Sequence, residues 1–206
     1  MFISPGDRAP DATLALIEAA LAGGVTAVLL REPALTQDAR SWLAQSLVEA
    51  AHESGALALV HNDVPLALEC AADGVHIGHG GPTLAALRDQ APALLAGRSA
   101  HWPLQDDDLA ADYVFLSPFR PTPKSLPRPL LTTAQVTEAL VQRAGRGVIA
   151  LGGLHASDVP SLPKGLSGLA VMRAIADAPD PRAAAAALRR AVDSGWPAPP
   201  QPAGKG

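Results

Sequence analysis

Cysteine, aromatic residues and charged residues are all scarce in this chain. Its 206 residues include one cysteine, one tyrosine, three phenylalanines and three tryptophans, and 17% of the residues are charged. A single cysteine cannot form a disulfide within the chain, which excludes a disulfide-stapled fold and favours a reducing, cytoplasmic environment. The low charge and the 48% hydrophobic content argue against disorder and favour a large buried core.

Long apolar runs and an excess of positive charge are also absent. No apolar segment approaches the roughly 20 residues that span a bilayer, and no basic segment followed by an apolar one stands at the amino terminus. The net charge of −4 argues against nucleic acid as the main partner. We therefore expect a cytoplasmic protein that binds a small molecule, with no nucleic acid and no membrane among its partners.

What the sequence contains instead is a regular alternation of short apolar runs and amphipathic segments. Short apolar runs between turn-forming residues favour buried parallel strands, and helical spacing of apolar residues between them favours helices. Eight such runs are present, at residues 2–4, 25–30, 57–60, 74–77, 94–100, 113–116, 148–151 and 169–172. Eight strand–helix units predict an α/β TIM barrel, (β/α)₈, formed by residues 1–195 as a single domain. A Pro/Gly-rich tail follows at 196–206.

Groups suited to chemistry follow the predicted strands. In a barrel of this kind the carboxyl ends of the strands carry the active site. An arginine, histidines, a carboxylate, a basic loop and a glycine pair would all lie on that rim, which favours acid–base chemistry on a small phosphorylated anion. The candidates from the residues alone are Arg31, Asn62, Asp63, His79, Ser99, His101, Lys124, Gly152, Gly153 and Arg173.

The glycine pair is the most informative of these features. Gly152-Gly153 would let backbone approach a phosphate closely, and Arg173 begins a segment whose first N–H groups would be unpaired. His101, just past a strand end, is placed as a general acid or base would be. Asn62-Asp63 fits either Mg²⁺ ligation or the start of a helix, and both alternatives remain open. His76, inside an apolar strand, fits a buried barrel residue better than a ligand contact.

Six stretches resemble the thiamine phosphate synthase superfamily, which includes the TenI-type thiazole tautomerases. In chain order they are AALAGGVTAVLLRE, HNDVPLALECAADGVHIG, GRSAHW, ADYVFLSPFRPTPKS, GVIALGGL and GLAVMRAI. The resemblance covers most of residues 2–192. It implies a (β/α)₈ barrel and a phosphorylated thiazole as ligand, with a homodimer as in many family members.

The chain departs from the synthase pattern implied by this resemblance. The synthase joins an aminopyrimidine diphosphate to thiazole phosphate with Mg²⁺, and its Gln-x-Arg-x-Lys motif corresponds here to Leu29, Arg31 and Pro33. Its Asn-Asp-Arg motif retains Asn62 and Asp63 but ends in Val64. Its second metal-binding aspartate is replaced by Gly81. Losing a metal ligand together with a cationic anchor disfavours diphosphate binding.

We therefore predict a tautomerase-like isomerase without a cofactor, one that moves a proton on a thiazole carboxylate phosphate. The resemblance makes His101 the acid–base residue and sets Arg31 against the substrate carboxylate. The other predicted substrate and phosphate contacts are Asn62, Asp63, His79, Ser99, Thr122, Lys124, Gly152, Gly153, Met172 and Arg173.

Two alternatives stay open. One is a thiamine phosphate synthase in which Asp63 ligates Mg²⁺. The other is a non-catalytic protein that binds thiazole phosphate or thiamine phosphate.

Overall fold

The eight apolar runs form eight parallel strands in the computed structural model, which describes residues 1–122 and 128–196. The strands pair with one another in sequence order, and a parallel bridge between Phe2 and Val171 joins the last to the first. The predicted (β/α)₈ barrel is confirmed. The strands are β1 (Phe2–Ile3), β2 (Ala27–Leu30), β3 (Leu57–His61), β4 (Gly74–Ile77), β5 (Leu95–Ala100), β6 (Tyr113–Leu116), β7 (Gly147–Leu151) and β8 (Gly168–Ala170).

Helices cover the outside of the barrel between the strands. They are α1 (Pro10–Ala22), α2 (Gln37–Glu53), α3 (Val64–Glu69), α4 (Leu84–Gln90), α5 (Asp106–Ala110), α6 (Thr133–Gln142), α7 (Arg173–Ala176) and α8 (Pro181–Gly195), with a 3₁₀ helix at Ala156–Ser161 after β7. The Thr36 hydroxyl caps α2 by accepting a hydrogen bond from the Ala39 N–H. The Thr83 hydroxyl caps α4 in the same way by accepting from the Ala86 N–H.

Alternate strand residues face the barrel axis and fill its interior. This cluster is separate from the larger core between the strands and helices. It consists of Ile3, Leu29, Leu59, Tyr113, Phe115 and Ala170, with Met1, Ile149, Leu151 and Met172 packed against it. An apolar interior raises the cost of burying an unpaired polar group, so polar side chains are expected only above this cluster.

Several predicted strand boundaries differ from the structure by one or two residues. The last strand ends at Ala170 rather than at residue 172, because Met172 already forms the N-cap position of the one-turn helix α7. The predicted tail from residue 197 onward, like Lys124, lies outside the described residues. No helix within the described ranges combines the length and the apolar character needed to cross a membrane.

Arg143 joins two strand–helix units on the outside of the barrel. It is 1% exposed, the largest of the fully buried side chains in the described chain. Its guanidinium donates to the carbonyls of Asp108 and Leu109, where α5 ends, and to the carbonyl of Gly147 at the start of β7, 3.3 Å away. Arg143 therefore links the end of α5 to the start of β7.

We predict that Arg143→Met lowers the free energy of unfolding by about 2–3 kcal/mol, because it leaves buried carbonyls without a donor. Arg146→Met is the matched control: Arg146 also donates to the Leu109 carbonyl but is exposed, and we expect a change within about 0.5 kcal/mol. Urea denaturation of both variants measures the difference. Equal effects of the two substitutions would contradict this role for Arg143.

Candidate active site

Polar side chains collect at the carboxyl ends of the strands, directly above the apolar interior. His61 on β3 pairs with His76 on β4 in the strand register. Arg31 directly follows Leu30, which pairs with Val60 in the register of β2 and β3. Because the strands are parallel and follow one another around the barrel, these ends meet on one rim. We call the following set the barrel mouth: Arg31, His61, His76, Ser99, His101 and Ser117.

His76 is the most deeply buried polar group of the barrel mouth. It is 1% exposed, and its ring stacks on Phe115 with 4.0 Å between the centroids. Its Nδ1 lies 3.2 Å from the Tyr113 hydroxyl and its Nε2 3.0 Å from the Ser99 Oγ. Burial lowers the pKa of His76 to about 3, so the ring is neutral near pH 7. The prediction of a buried barrel histidine is confirmed.

His61 also lies in the barrel mouth, and the sequence analysis missed it. Its ring stacks near His76, with 6.3 Å between the centroids, and covers Gly78, where any Cβ would collide with the imidazole. Burial, together with the charge of Arg31, lowers the pKa of His61 to about 4. Neither ring nitrogen has a hydrogen-bond partner in the described chain. The strand alternation contains the signal, because residues 57, 59 and 61 share one face.

Arg31 brings positive charge to the barrel mouth. Its backbone N–H donates to the Oγ of the buried Ser4 at 2.7 Å, which fixes the start of the loop after β2. Its guanidinium has no carboxylate or hydrogen-bond partner among residues 1–122 and 128–196. An unpaired guanidinium that is partly buried is suited to binding a phosphate or carboxylate.

Two other rim arginines are already paired. The Arg173 guanidinium lies 2.6 Å from Asp7 and 3.3 Å from Asp177, and its exposed side chain turns toward these carboxylates. The Nε of Arg120 lies 2.9 Å from the Oδ1 of Asp158. The predicted phosphate contact of Arg173 stays a prediction, and its guanidinium is paired with carboxylates in this conformation. Among these described rim arginines, Arg31 is the unpaired one.

The predicted glycine pair after β7 has both a packing role and free backbone donors. Gly152 and Gly153 have φ values of +115° and +60°, which favour glycine. The loop after β6 packs against them: Arg120 N–H donates to the Gly152 carbonyl at 3.0 Å, and a Cβ on Gly153 would lie 3.0 Å from the Pro121 carbonyl oxygen. The N–H groups of both glycines have no acceptor within the described part of the chain.

Asp63 is occupied as a helix cap rather than free as a metal ligand. Its Oδ1 accepts from the Leu66 N–H at 3.1 Å at the start of α3, and its Oδ2 lies 3.4 Å from the Arg40 guanidinium. Of the two alternatives left open for this carboxylate, the structure contains the helix cap.

Asn62 fills the space next to it. Its Oδ1 accepts from the Gly78 N–H at 2.7 Å and its Nδ2 donates to the His79 carbonyl at 3.2 Å. A Cβ on Gly81 would collide with this amide, so the Asn62 side chain lies where a side chain at position 81 would begin. In the described ranges no three His, Cys, Asp or Glu side chains group as metal ligands do. These residues do not fit the Mg²⁺ site of the synthase pattern.

The remaining candidates lie at different depths. His101 is exposed, and its Nδ1–H donates to the Ser117 carbonyl at 2.9 Å, while its Nε2 has no hydrogen-bond partner in the part of the chain that the structure describes. The His79 side chain is exposed, and Thr122 lies beside Gly153. Met172 packs against the barrel interior. Leu29, at the place of the synthase glutamine, is 1% exposed within that interior.

A cavity lies at the opposite end of the barrel. Its volume is about 400 Å³, and most of its wall is apolar. Its lining includes Val25, Leu57, Leu95, Gly147 and Gly168, at or near the amino ends of five strands. The convergent polar and titratable groups lie at the carboxyl ends, so the barrel mouth is the candidate active site.

Comparison with known proteins places this architecture in a family. The family model described as thiamine monophosphate synthase matches residues 1–175. A thiamine-phosphate synthase of Thiobacillus denitrificans is 38% identical over 190 residues, or 86% of each chain. This chain belongs to the thiamine monophosphate synthase family.

Other relatives agree with that assignment. A thiamine-phosphate synthase of Bordetella pertussis is 34% identical over 200 residues, covering 92% of each chain. The solved structure of a thiamine phosphate pyrophosphorylase from Pyrococcus furiosus superposes with a TM-score of 0.82 over 94% of each chain at 24% identity, which supports the fold.

The prediction of a tautomerase, and with it of an isomerase, is wrong. The relatives that share 34–38% identity over most of the chain carry the name thiamine-phosphate synthase, and thiamine-phosphate synthases are transferases rather than isomerases. The prediction relied on polar residues lost at positions 29, 33, 64 and 81, with His101 and the glycine pair retained. Losses at a few rim positions weaken one activity but do not establish another, because a new reaction requires its own arrangement of groups.

The neutral histidines of the barrel mouth predict a pH-dependent stability. An unfolded histidine has a pKa of about 6.5, whereas His61 and His76 titrate near 4 and 3 in the fold. The contribution of both to stability is complete above pH 6.5. It is lost as the pH falls toward the folded pKa values, because only the unfolded chain takes up protons in that range.

We expect His61→Asn to reduce the slope of unfolding free energy against pH by up to about 1.4 kcal/mol per pH unit between pH 6 and 4.5. Between pH 7 and 8 the slopes of variant and wild type should agree, which provides the internal control. Urea denaturation across both ranges measures this. Identical slopes at acidic pH would contradict a neutral, half-buried His61.

Proposed function

We propose that this protein is a transferase of the thiamine-phosphate synthase type, which joins an aminopyrimidine diphosphate to thiazole phosphate. The observation that carries the proposal is the unpaired Arg31 guanidinium, which stands beside neutral polar groups and free backbone N–H donors at one end of the barrel. The synthase relatives, similar over 86–92% of the chain, support the same reaction class.

The proposed reaction breaks the bond between the pyrimidine methylene carbon and the diphosphate oxygen, and the diphosphate leaves with the bonding electrons. The thiazole nitrogen then forms the new bond to that carbon. Arg31 would bind anionic oxygens, since charge-assisted hydrogen bonds are the strongest that a side chain offers them. The Gly152 and Gly153 N–H groups would hold the thiazole phosphate, with Ser99 and the Arg173 backbone N–H nearby. The remaining predicted contacts, His79, His101, Thr122, Lys124 and Met172, stay predictions.

The described residues of this chain do not reproduce the Mg²⁺ site of the synthase pattern. Asp63 caps a helix and Asn62 fills the space at Gly81, so no step is assigned to a protein-bound metal. The same observation favours a second candidate function, a protein that binds thiazole phosphate or thiamine phosphate without turnover. A homodimer and a cytoplasmic location also stay predictions.

The test is to incubate the purified protein with both substrates and to follow thiamine phosphate by chromatography, with and without Mg²⁺. We expect product, and we expect Arg31→Met to lower kcat/KM by roughly 10- to 100-fold through the loss of a charge-assisted contact. Arg189→Met, which removes an arginine paired with Asp193 within α8 on the outside of the barrel, is the control and should retain the activity.

Calorimetric titration with thiamine phosphate separates the candidates. Saturable binding without product in any condition would contradict the synthase proposal and support the binding protein. Neither product nor binding would overturn both.

A further inference from the structure

Three side chains form a hydrogen-bonded chain from the barrel interior to the barrel mouth. Tyr113 is 8% exposed, and its ring lies across Gly97, where any Cβ would collide with it. The Tyr113 hydroxyl lies 3.2 Å from Nδ1 of His76, and Nε2 of His76 lies 3.0 Å from the Oγ of Ser99. Ser99 is exposed in the barrel mouth, so the chain begins in the core and ends at the candidate site.

The direction of the protons along this chain follows from the partners available. The Tyr113 hydroxyl has no other hydrogen-bond partner in the described chain. If it only accepted from His76, its own O–H would have no acceptor within the described chain, which is costly for a side chain that is 8% exposed. Tyr113 therefore donates to Nδ1 of His76.

A neutral imidazole carries one N–H group. With Nδ1 accepting from Tyr113, that group is on Nε2 and donates to the Oγ of Ser99. Burial holds the pKa of His76 at about 3, so a second ring proton is absent throughout the neutral range. The same burial raises the pKa of Tyr113, which keeps the phenol protonated and able to donate.

Ser99 is thereby left with a defined role. Its oxygen already accepts from His76, and its own O–H has no acceptor among the described residues. We propose that Tyr113, acting through His76, is a positioning residue that makes Ser99 a dedicated hydrogen-bond donor to a phosphate oxygen of the ligand in the barrel mouth. The phosphate as acceptor rests on the proposed function, whereas the proton order along the chain does not.

The opposite proton order has the opposite consequence. If Nδ1 carried the proton, Nε2 would accept from the Ser99 hydroxyl, and Ser99 would present only lone pairs to the ligand. A phosphate oxygen would then be repelled rather than bound. The tautomer of His76 is thus a direct test that needs no ligand and no activity.

Long-range ¹⁵N–¹H NMR correlation of the ligand-free protein measures this tautomer, with His76 assigned by comparison with His76→Gln. We expect the Nε2–H form in the wild type. In Tyr113→Phe, which removes only the hydroxyl, we expect the Nδ1–H form to gain population. An Nδ1–H tautomer in the wild type, or an unchanged tautomer in Tyr113→Phe, would overturn the proposal.

Calorimetry with thiamine phosphate, and with inorganic phosphate as a second probe, tests the consequence for binding. We expect Tyr113→Phe and Ser99→Ala each to weaken binding by about three- to tenfold, the effect of one neutral hydrogen bond. The double variant should bind as Ser99→Ala does, because Tyr113 acts only through Ser99. Multiplicative losses in the double variant would contradict the proposal.

The two experiments separate this inference from the proposed function. The predicted tautomers without binding of either probe would overturn the assigned ligand and leave the proton order intact. Normal turnover with the opposite tautomer would support the synthase and overturn the role of Tyr113. Circular dichroism and urea denaturation confirm that each variant is folded before it is compared.

Discussion

The register of the parallel strands is the constraint on which the barrel mouth depends. Alternation along β2, β3 and β6 turns Leu29, Leu59 and Phe115 into the barrel interior, and the next inward positions on β2 and β3 are Arg31 and His61. A shift of one residue in any strand would exchange these faces. The register therefore fixes an apolar floor under the ligand site and a ring of polar groups above it.

Pairing among the rim charges then decides which groups are available. Arg173 and Arg120 are held by carboxylates, and Asp63 is held by a backbone N–H and by Arg40. Arg31 keeps an unpaired charge, while burial keeps the neighbouring histidines neutral. Within the described residues the barrel mouth thus offers one unpaired guanidinium and neutral donors, and it holds no group of carboxylates or histidines arranged as metal ligands.

Much of the fold could be predicted from the sequence, because the apolar runs and turn residues are local signals. The eight strands and the barrel follow from them. The ion pair of Arg173 with Asp7, the Asn62 amide at Gly81 and the Tyr113–His76–Ser99 chain could not be predicted, since each joins residues far apart in the sequence. The tautomerase prediction failed for a related reason: it weighed single substitutions without the similarity of the whole chain.

The central claim is that the barrel mouth binds a phosphorylated thiazole. A crystal structure of the protein grown with thiazole phosphate in metal-free buffer tests it most directly. The account predicts the ligand above Phe115, with its phosphate against the Gly152-Gly153 backbone and within hydrogen-bond distance of Ser99. A ligand bound in the cavity at the amino ends of the strands, or an empty barrel mouth at saturating ligand, would contradict it.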